Sequence, residues 1–216
     1  MGNVLWDSPF DTGNEIWGAP AIADIDNDSE VEIIVTSKSK QLFVLDLNGN
    51  LETHYDTEQF ITSTPAIGNL DDDSELEIVF GTMSSSGKIF AINHDGTDVE
   101  GFPVQINEKI WVGNALADLN NNGYDDIIVV TDSGNIYCIN DDGSFNLDFS
   151  LSTNHNIRSA PSIVSFEEDN QKFIFFGNDI GDLYSIDQYG SIHFIYSTGE
   201  TIRSSPSMIE YNGNTN

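Results

Sequence analysis

The chain repeats itself. Pro20, Pro65, Asn114, Pro161 and Pro206 are separated by 45, 49, 47 and 45 residues, and an isoleucine stands four positions before each: Ile16, Ile61, Ile110, Ile157 and Ile202. A period of this length means a stack of supersecondary units, because a unit of forty-odd residues can bury its apolar face only against a neighbour of its own kind. The units run approximately 14–60, 61–107, 108–154 and 155–200, with a partial unit at 201–216, and all fall in one domain covering 1–216. The first unit predicts four short strands at 19–25, 31–37, 41–47 and 51–57. Between the third and fourth strands fall Asn48-Gly49, Asp95-Gly96, Asp142-Gly143 and Tyr189-Gly190, dipeptides of the kind that close hairpins. No helical period competes. The expected fold is all-β: a propeller of four-stranded blades, with about four complete blades and part of a fifth.

The strand order sets a further expectation. An outer-type strand near residues 4–10, four units and the first strand of a fifth do not complete a ring. The chain therefore reads as a fragment of a longer propeller, or as one that pairs edge to edge with another chain through its open strands.

The loop between the first two strands of a unit carries the strongest chemical signal. Asp24, Asp26, Asp28, Glu30 and Glu32 occupy positions 1, 3, 5, 7 and 9 of the first copy. Asn69, Asp71, Asp73, Glu75 and Glu77 occupy them in the second, and Asp118, Asn120, Asn122, Tyr124 and Asp126 in the third. Calcium takes six to eight oxygen ligands, and side chains at positions 1, 3, 5 and 9 with a backbone carbonyl at 7 supply such a shell. Position 7 varies in side chain, as a carbonyl donor allows. The EF-hand is excluded, since position 12 is Val35, Phe80 or Val129 inside an apolar strand rather than a bidentate Glu. The competing reading is that Asp and Asn simply make good turns; three copies in phase favour calcium, at about three sites. Carboxylates at positions 1, 3, 5 and 9 fall from four to three to two along the chain, which predicts falling affinity. Gly123 at position 6 of the third loop opposes that order, because a sharp turn there favours positive φ and would strain Ser29 and Ser74.

Trp17-Gly18-Ala19-Pro20 followed by Ala21-Ile22-Ala23-Asp24-Ile25-Asp26-Asn27-Asp28 resembles the FG-GAP and VCBS class of repeats, and the likeness extends through the second and third units. In that family, which includes the integrin α-subunit propeller, the Asp-rich loop binds calcium, and the resemblance implies the same for the three loops here. The fourth unit departs from it. Ser165, Glu167, Asp169 and Phe173 stand at the equivalent positions, without a carboxylate at position 9. With Gly181-Asp182-Leu183-Tyr184-Ser185-Ile186-Asp187 and Ser204-Ser205-Pro206-Ser207, this unit instead resembles PQQ-like propeller repeats, which gives no reason to expect the quinone.

Charge narrows the partners. Thirty-six acidic against 7 basic side chains give a net charge of −29, so nucleic acid and anionic membranes are poor partners. No apolar run approaches a membrane span, and the start of the chain has no basic segment or apolar stretch of a signal peptide. Modest calcium sites fill outside the cytosol, which predicts an extracellular, cell-surface or periplasmic location. Cys138 alternates as a strand residue and reads as a buried thiol, and His54, His94, His155 and His193 have no metal-ligand spacing. No H-E-x-x-H, G-x-S-x-G or phosphate loop is present. The expectation is a non-enzymatic binding or adhesion module for a protein or glycan; a calcium-dependent polysaccharide lyase and a periplasmic PQQ-like scaffold are the alternatives.

One more constellation emerges from the repeat. The residue after each repeated isoleucine is Trp17, Thr62, Trp111, Arg158 or Arg203, and the last two are the only arginines. Repeat symmetry places all five near one mouth of the central channel. Trp17, Trp111, Arg158 and Arg203 could there bind a sugar or an anion by stacking and bidentate hydrogen bonds, unless the tryptophans only pack between blades and the arginines only answer nearby acids.

Overall fold

A computed structural model describes residues 6, 8–166 and 171–207. Among these are sixteen strands and no helix, arranged as four antiparallel sheets of four strands, each sheet in chain order. The first sheet holds β1 (Ala21–Ala23), β2 (Glu32–Thr36), β3 (Gln41–Leu45) and β4 (Leu51–Asp56). The second holds β5 (Ala66–Gly68), β6 (Glu77–Gly81), β7 (Lys88–Ile92) and β8 (Val104–Gln105). The third holds β9 (Ala115–Ala117), β10 (Asp126–Val130), β11 (Asn135–Ile139) and β12 (Phe145–Ser152), and the fourth β13 (Ser162–Phe166), β14 (Gln171–Gly177), β15 (Asp182–Asp187) and β16 (Ile192–Ser197). First strands of successive sheets touch one another, β1 with β5, β5 with β9 and β9 with β13, so they line a common axis as propeller blades do. The expected fold class is the observed one.

Packing explains why the middle strands are apolar throughout. Side chains alternate across a strand, and the second and third blades each lie between two others. In β6, Ile78 and Phe80 join Ile34, Leu42 and Val44 of the first blade, while Val79 faces the third blade with Ile127 and Val129. In β10, Ile128 and Val130 point the other way, to Ile174, Phe176 and Ile186 of the fourth blade. Four blades thus share three cores. Three of the repeated isoleucines fasten the seams: Ile61, Ile110 and Ile157 are fully buried, and Ile110 lies where a Cβ on Gly81 would come within 2.5 Å of it, whereas Ile16 in the first blade is 48% exposed. Replacing one such residue by Ala costs on the order of 2–5 kcal/mol.

The hairpins between third and fourth strands differ from a two-residue turn. Gly49 N–H donates to the Asp46 carbonyl and Asp46 N–H to that of Asn50, both at 3.0 Å, and positive φ falls on Gly49 alone rather than on Asn48 as well. This is a three-residue loop ending in a glycine bulge, with the register shift in the ladder that such a bulge brings. Gly96, Gly143 and Gly190 repeat it, with φ between 78° and 84°.

Two expectations fall at the edges of what is described. Trp6 and residues 8–10 form no strand, although Phe10 packs edge-on to Phe43 at 5.3 Å between ring centroids; residues 1–5 and 7 lie outside the described residues. So does the fifth unit beyond 207, of which Ile202 still bonds the fourth blade through its N–H to the Asn178 carbonyl at 3.1 Å.

Candidate metal sites

Each acidic loop joins a short inner strand to a buried one, and one carboxylate clasps it. Glu32, Glu77 and Asp126 open β2, β6 and β10 and are 4%, 0% and 1% exposed. Each accepts the N–H of loop position 2: Ile25 at 2.8 Å, Leu70 at 2.5 Å and Leu119 at 2.9 Å. Burial is the main cause of their altered acidity. The Glu32 carboxyl is raised, Glu77 is pushed up to about 7 with Asp71 and Asp73 adding repulsion, and Asp126 to about 6.

In the first two loops carboxylates converge. Ligand atoms of Asp24, Asp26 and Asp28 lie within 4.8 Å of one another, as do those of Asp71, Asp73 and Glu77. Asp24 Oδ1 and Glu77 Oε1 are buried without any hydrogen-bond partner. A buried carboxylate oxygen left bare costs several times what an exposed one does, and a second carboxylate beside it raises that cost. A cation would relieve both penalties, and oxygens alone suit a hard ion such as calcium. Glu30 and Glu75 stand outside the clusters; their N–H groups donate to Asp28 Oδ1 at 2.7 Å and Asp73 Oδ1 at 3.0 Å. Asn69 Oδ1 accepts the N–H of Asp71 at 3.2 Å.

The third loop closes on itself. Both Asp118 oxygens accept backbone N–H groups, from Asn122 and Gly123, each at 3.0 Å. Asp126 Oδ1 accepts Asn120 Nδ2 at 3.1 Å while Oδ2 takes Leu119, so no oxygen is bare. Asn122 accepts the N–H of Tyr124 at 2.9 Å, and the Tyr124 hydroxyl donates to Asp72 of the neighbouring loop. The structure gathers charge at two of the three expected positions. The turn also differs from expectation at position 6: Gly123 (φ 101°) and Ser29 (φ 74°) are left-handed, but Ser74 is not.

In the fourth blade Glu167 and Asp169 lie outside the described residues, and Phe173 takes the place of the clasp carboxylate within β14. Gln188 fills in. Its amide donates to the Leu119 carbonyl at 3.2 Å and accepts the Lys172 N–H at 3.0 Å, a bridge for which the repeat gave no signal.

At the opposite end, the residues after the isoleucines converge in part. Trp17 and Trp111, two blades apart, stack with centroids 5.9 Å apart and planes 25° apart. Thr62 between them donates to the Trp111 carbonyl at 3.2 Å. Arg158 lies over Trp111, its Cζ 4.7 Å from the ring centroid, and Lys38, which the repeat did not single out, lies over Trp17 at 4.3 Å. The cations are not free for an anion: Arg158 Nε meets Asp132 at 2.9 Å, Lys38 meets Glu15 at 2.6 Å, and Arg203 is 3.6 Å from Asp179. Cys138, 1% exposed, has its thiol pushed up to about 12 by burial and is inert.

No family model matches the chain, and no curated protein does. Solved structures do resemble it. BamB from Moraxella catarrhalis matches with a TM-score of 0.61 at 19% identity, over 89% of this chain and 55% of that one. The V. cholerae biofilm matrix protein Bap1 matches with 0.59 at 15%, over 83% and 28%, and quinohemoprotein alcohol dehydrogenase from Comamonas testosteroni with 0.57 at 12%, over 79% and 36%. The chain spans about half or less of each. Likeness at this identity shows the fold alone, and the fold is that of a β-propeller.

Proposed function

We propose that this chain is a calcium-stabilised propeller segment of the FG-GAP and VCBS kind, acting without catalysis as an extracellular or cell-surface binding module for a protein or glycan. The observation that carries the reading is Glu77 Oε1, buried and bare among the described residues beside Asp71 and Asp73; one blade earlier the bare oxygen in the cluster is Asp24 Oδ1, at loop position 1 rather than 9. Acidic turns that merely shape a loop satisfy their oxygens internally, as the third loop does. Calcium at a hundredfold excess over its dissociation constant would add about 2.7 kcal/mol per site. The extracellular assignment follows from the calcium supply that such sites need, and the non-catalytic one from the lack of any catalytic motif in the sequence. The test is thermal unfolding in EDTA and then in excess calcium, with magnesium as control, on the parent chain and on Asp73→Ala. The reading requires a calcium-specific upward shift that the substitution reduces; equal shifts in parent and variant would remove it.

The likeness to BamB, together with the fourth unit's repeat pattern, favours a second reading, a periplasmic scaffold. Capture of envelope proteins independent of calcium would support that instead.

A further inference from the structure

The two ends of the blade array differ in charge. Antiparallel blades place the β1–β2 and β3–β4 types of connection at one end and the β2–β3 and sheet-to-sheet connections at the other. The acidic loops occupy the first end. Of the 7 basic side chains, Lys38, Lys40, Lys88, Lys109, Arg158 and Arg203 belong to the second, and Lys172 alone to the first. The row of two tryptophans sits at this second end, shielded from most of the chain's negative charge.

We propose that the row Lys38, Trp17, Trp111, Arg158 is a binding site for a neutral carbohydrate. Trp17 keeps 53% of its surface exposed although it is stacked, an expensive way to display an indole unless something covers it. Two residues of this segment carry polar atoms without partners among the described residues. Trp111 Nε1 is buried and bare, and so are both amide atoms of Asn114, which is 8% exposed and replaces the proline of the other four repeats. Neither amide atom has a partner among the described residues, and a buried amide calls for one, from water or from a ligand. Trp17 Nε1 donates to Glu15 Oε2 at 3.1 Å, and Glu15 also holds Lys38.

The charges select the ligand. Lys38 is matched by Glu15 and Arg158 by Asp132, so the row carries no net charge and offers an anion no uncompensated cation. A polyhydroxyl ligand suits it better. Its C–H faces pack on indole, and its hydroxyls both donate to Glu15 and Asp132 and accept from Lys38 and Arg158. The inference goes beyond calcium binding and does not depend on it, because the metal loops occupy the other end.

The test is titration of the parent chain, in calcium, with neutral hexasaccharides (cellohexaose, maltohexaose and mannohexaose) and with polygalacturonate, read by tryptophan fluorescence and calorimetry. At least one neutral hexasaccharide should bind with a dissociation constant of about 1 mM or tighter and change the tryptophan emission. Trp17→Ala should weaken it about tenfold or more while the folded chain still takes up calcium, and Trp17→Phe should restore most of the affinity. Absence of binding by all three neutral sugars, binding of polygalacturonate alone, or affinity indifferent to Trp17→Ala would each overturn the proposal. Loss of the calcium-induced stability shift with sugar binding intact would count against the metal loops and leave this site standing.

Discussion

The second and third loops share the same clasp, yet a buried carboxylate oxygen stands bare among the described residues in the second and none does in the third. In the second, Asp71, Asp73 and Glu77 crowd together and Glu77 Oε1 is bare. In the third, amides at Asn120 and Asn122 replace two carboxylates, and Asn120 turns its Nδ2 onto the clasp carboxylate, satisfying the oxygen that stands bare in the second loop. All four side-chain positions differ: Asn replaces Asp at positions 3 and 5, Asp replaces Asn at position 1 and Glu at position 9, and the third loop meets its oxygens internally. The first and third loops share left-handed residues at positions 4 and 6, Asn27 and Ser29 with Asn121 and Gly123, while the first and second share clustered carboxylates, so turn shape and charge vary independently along the repeat.

The largest effect should come from breaking the second loop. Glu77→Gln keeps the acceptor for Leu70 N–H but removes the buried charge, so stability in EDTA should hold or rise while the calcium-dependent gain at that site, up to about 2.7 kcal/mol, disappears. Chemical denaturation with and without calcium reads both numbers. An equal loss in both conditions would mean that Glu77 is structural only.

The converse change should sharpen the contrast. Asn120→Asp with Asn122→Asp rebuilds a cluster in the third loop and removes the amide that satisfies Asp126. It should cost about 1–3 kcal/mol in EDTA and recover that amount in calcium. A pair of substitutions with no calcium response would show that the backbone of the third loop cannot hold the ion.

The pH dependence follows from the same burial. In the metal-free protein the folded pKa of Glu77 is raised from 4.5 to about 7, so between those values the folded state holds more protons than the unfolded one. Stability should therefore fall as pH rises through that window and level off above it, with Asp126 adding a contribution between 3.8 and about 6. Calcium needs the ionised group, so its binding should release protons and weaken as pH drops below about 7. Urea midpoints across that range in EDTA, and again in calcium, check both signs.

The fold was legible because it is written four times. Apolar runs, glycine hairpins and the spaced isoleucines all reported one blade plan, and the four strands expected in the first unit appear, trimmed at their ends where Asp24 and Asp46 begin to turn. Of the loop residues that spacing singled out, the structure brings together ligand atoms of Asp24, Asp26 and Asp28 and of Asp71, Asp73 and Glu77. Spacing could not show which were satisfied, because an Asn in the repeat reads as a ligand whether its oxygen or its nitrogen points inward. Nor could it show Lys38 and Asp132 at the tryptophan row, since those come from β2–β3 type turns whose sequences differ between blades. Ser29 and Ser74 occupy one repeat position yet only Ser29 is left-handed. The smallest effect tests that difference: Ser29→Gly should stabilise by roughly 0.5–1 kcal/mol and Ser74→Gly should not.

On the reading proposed above, calcium completes two loops and passes over the third. Calorimetric titration of calcium into EDTA-stripped chain tests it most directly. Two sites per chain, with protons released and magnesium unable to compete at equal concentration, is the predicted result. No heat of binding, or a response that magnesium reproduces, would contradict it and reduce the loops to acidic turns.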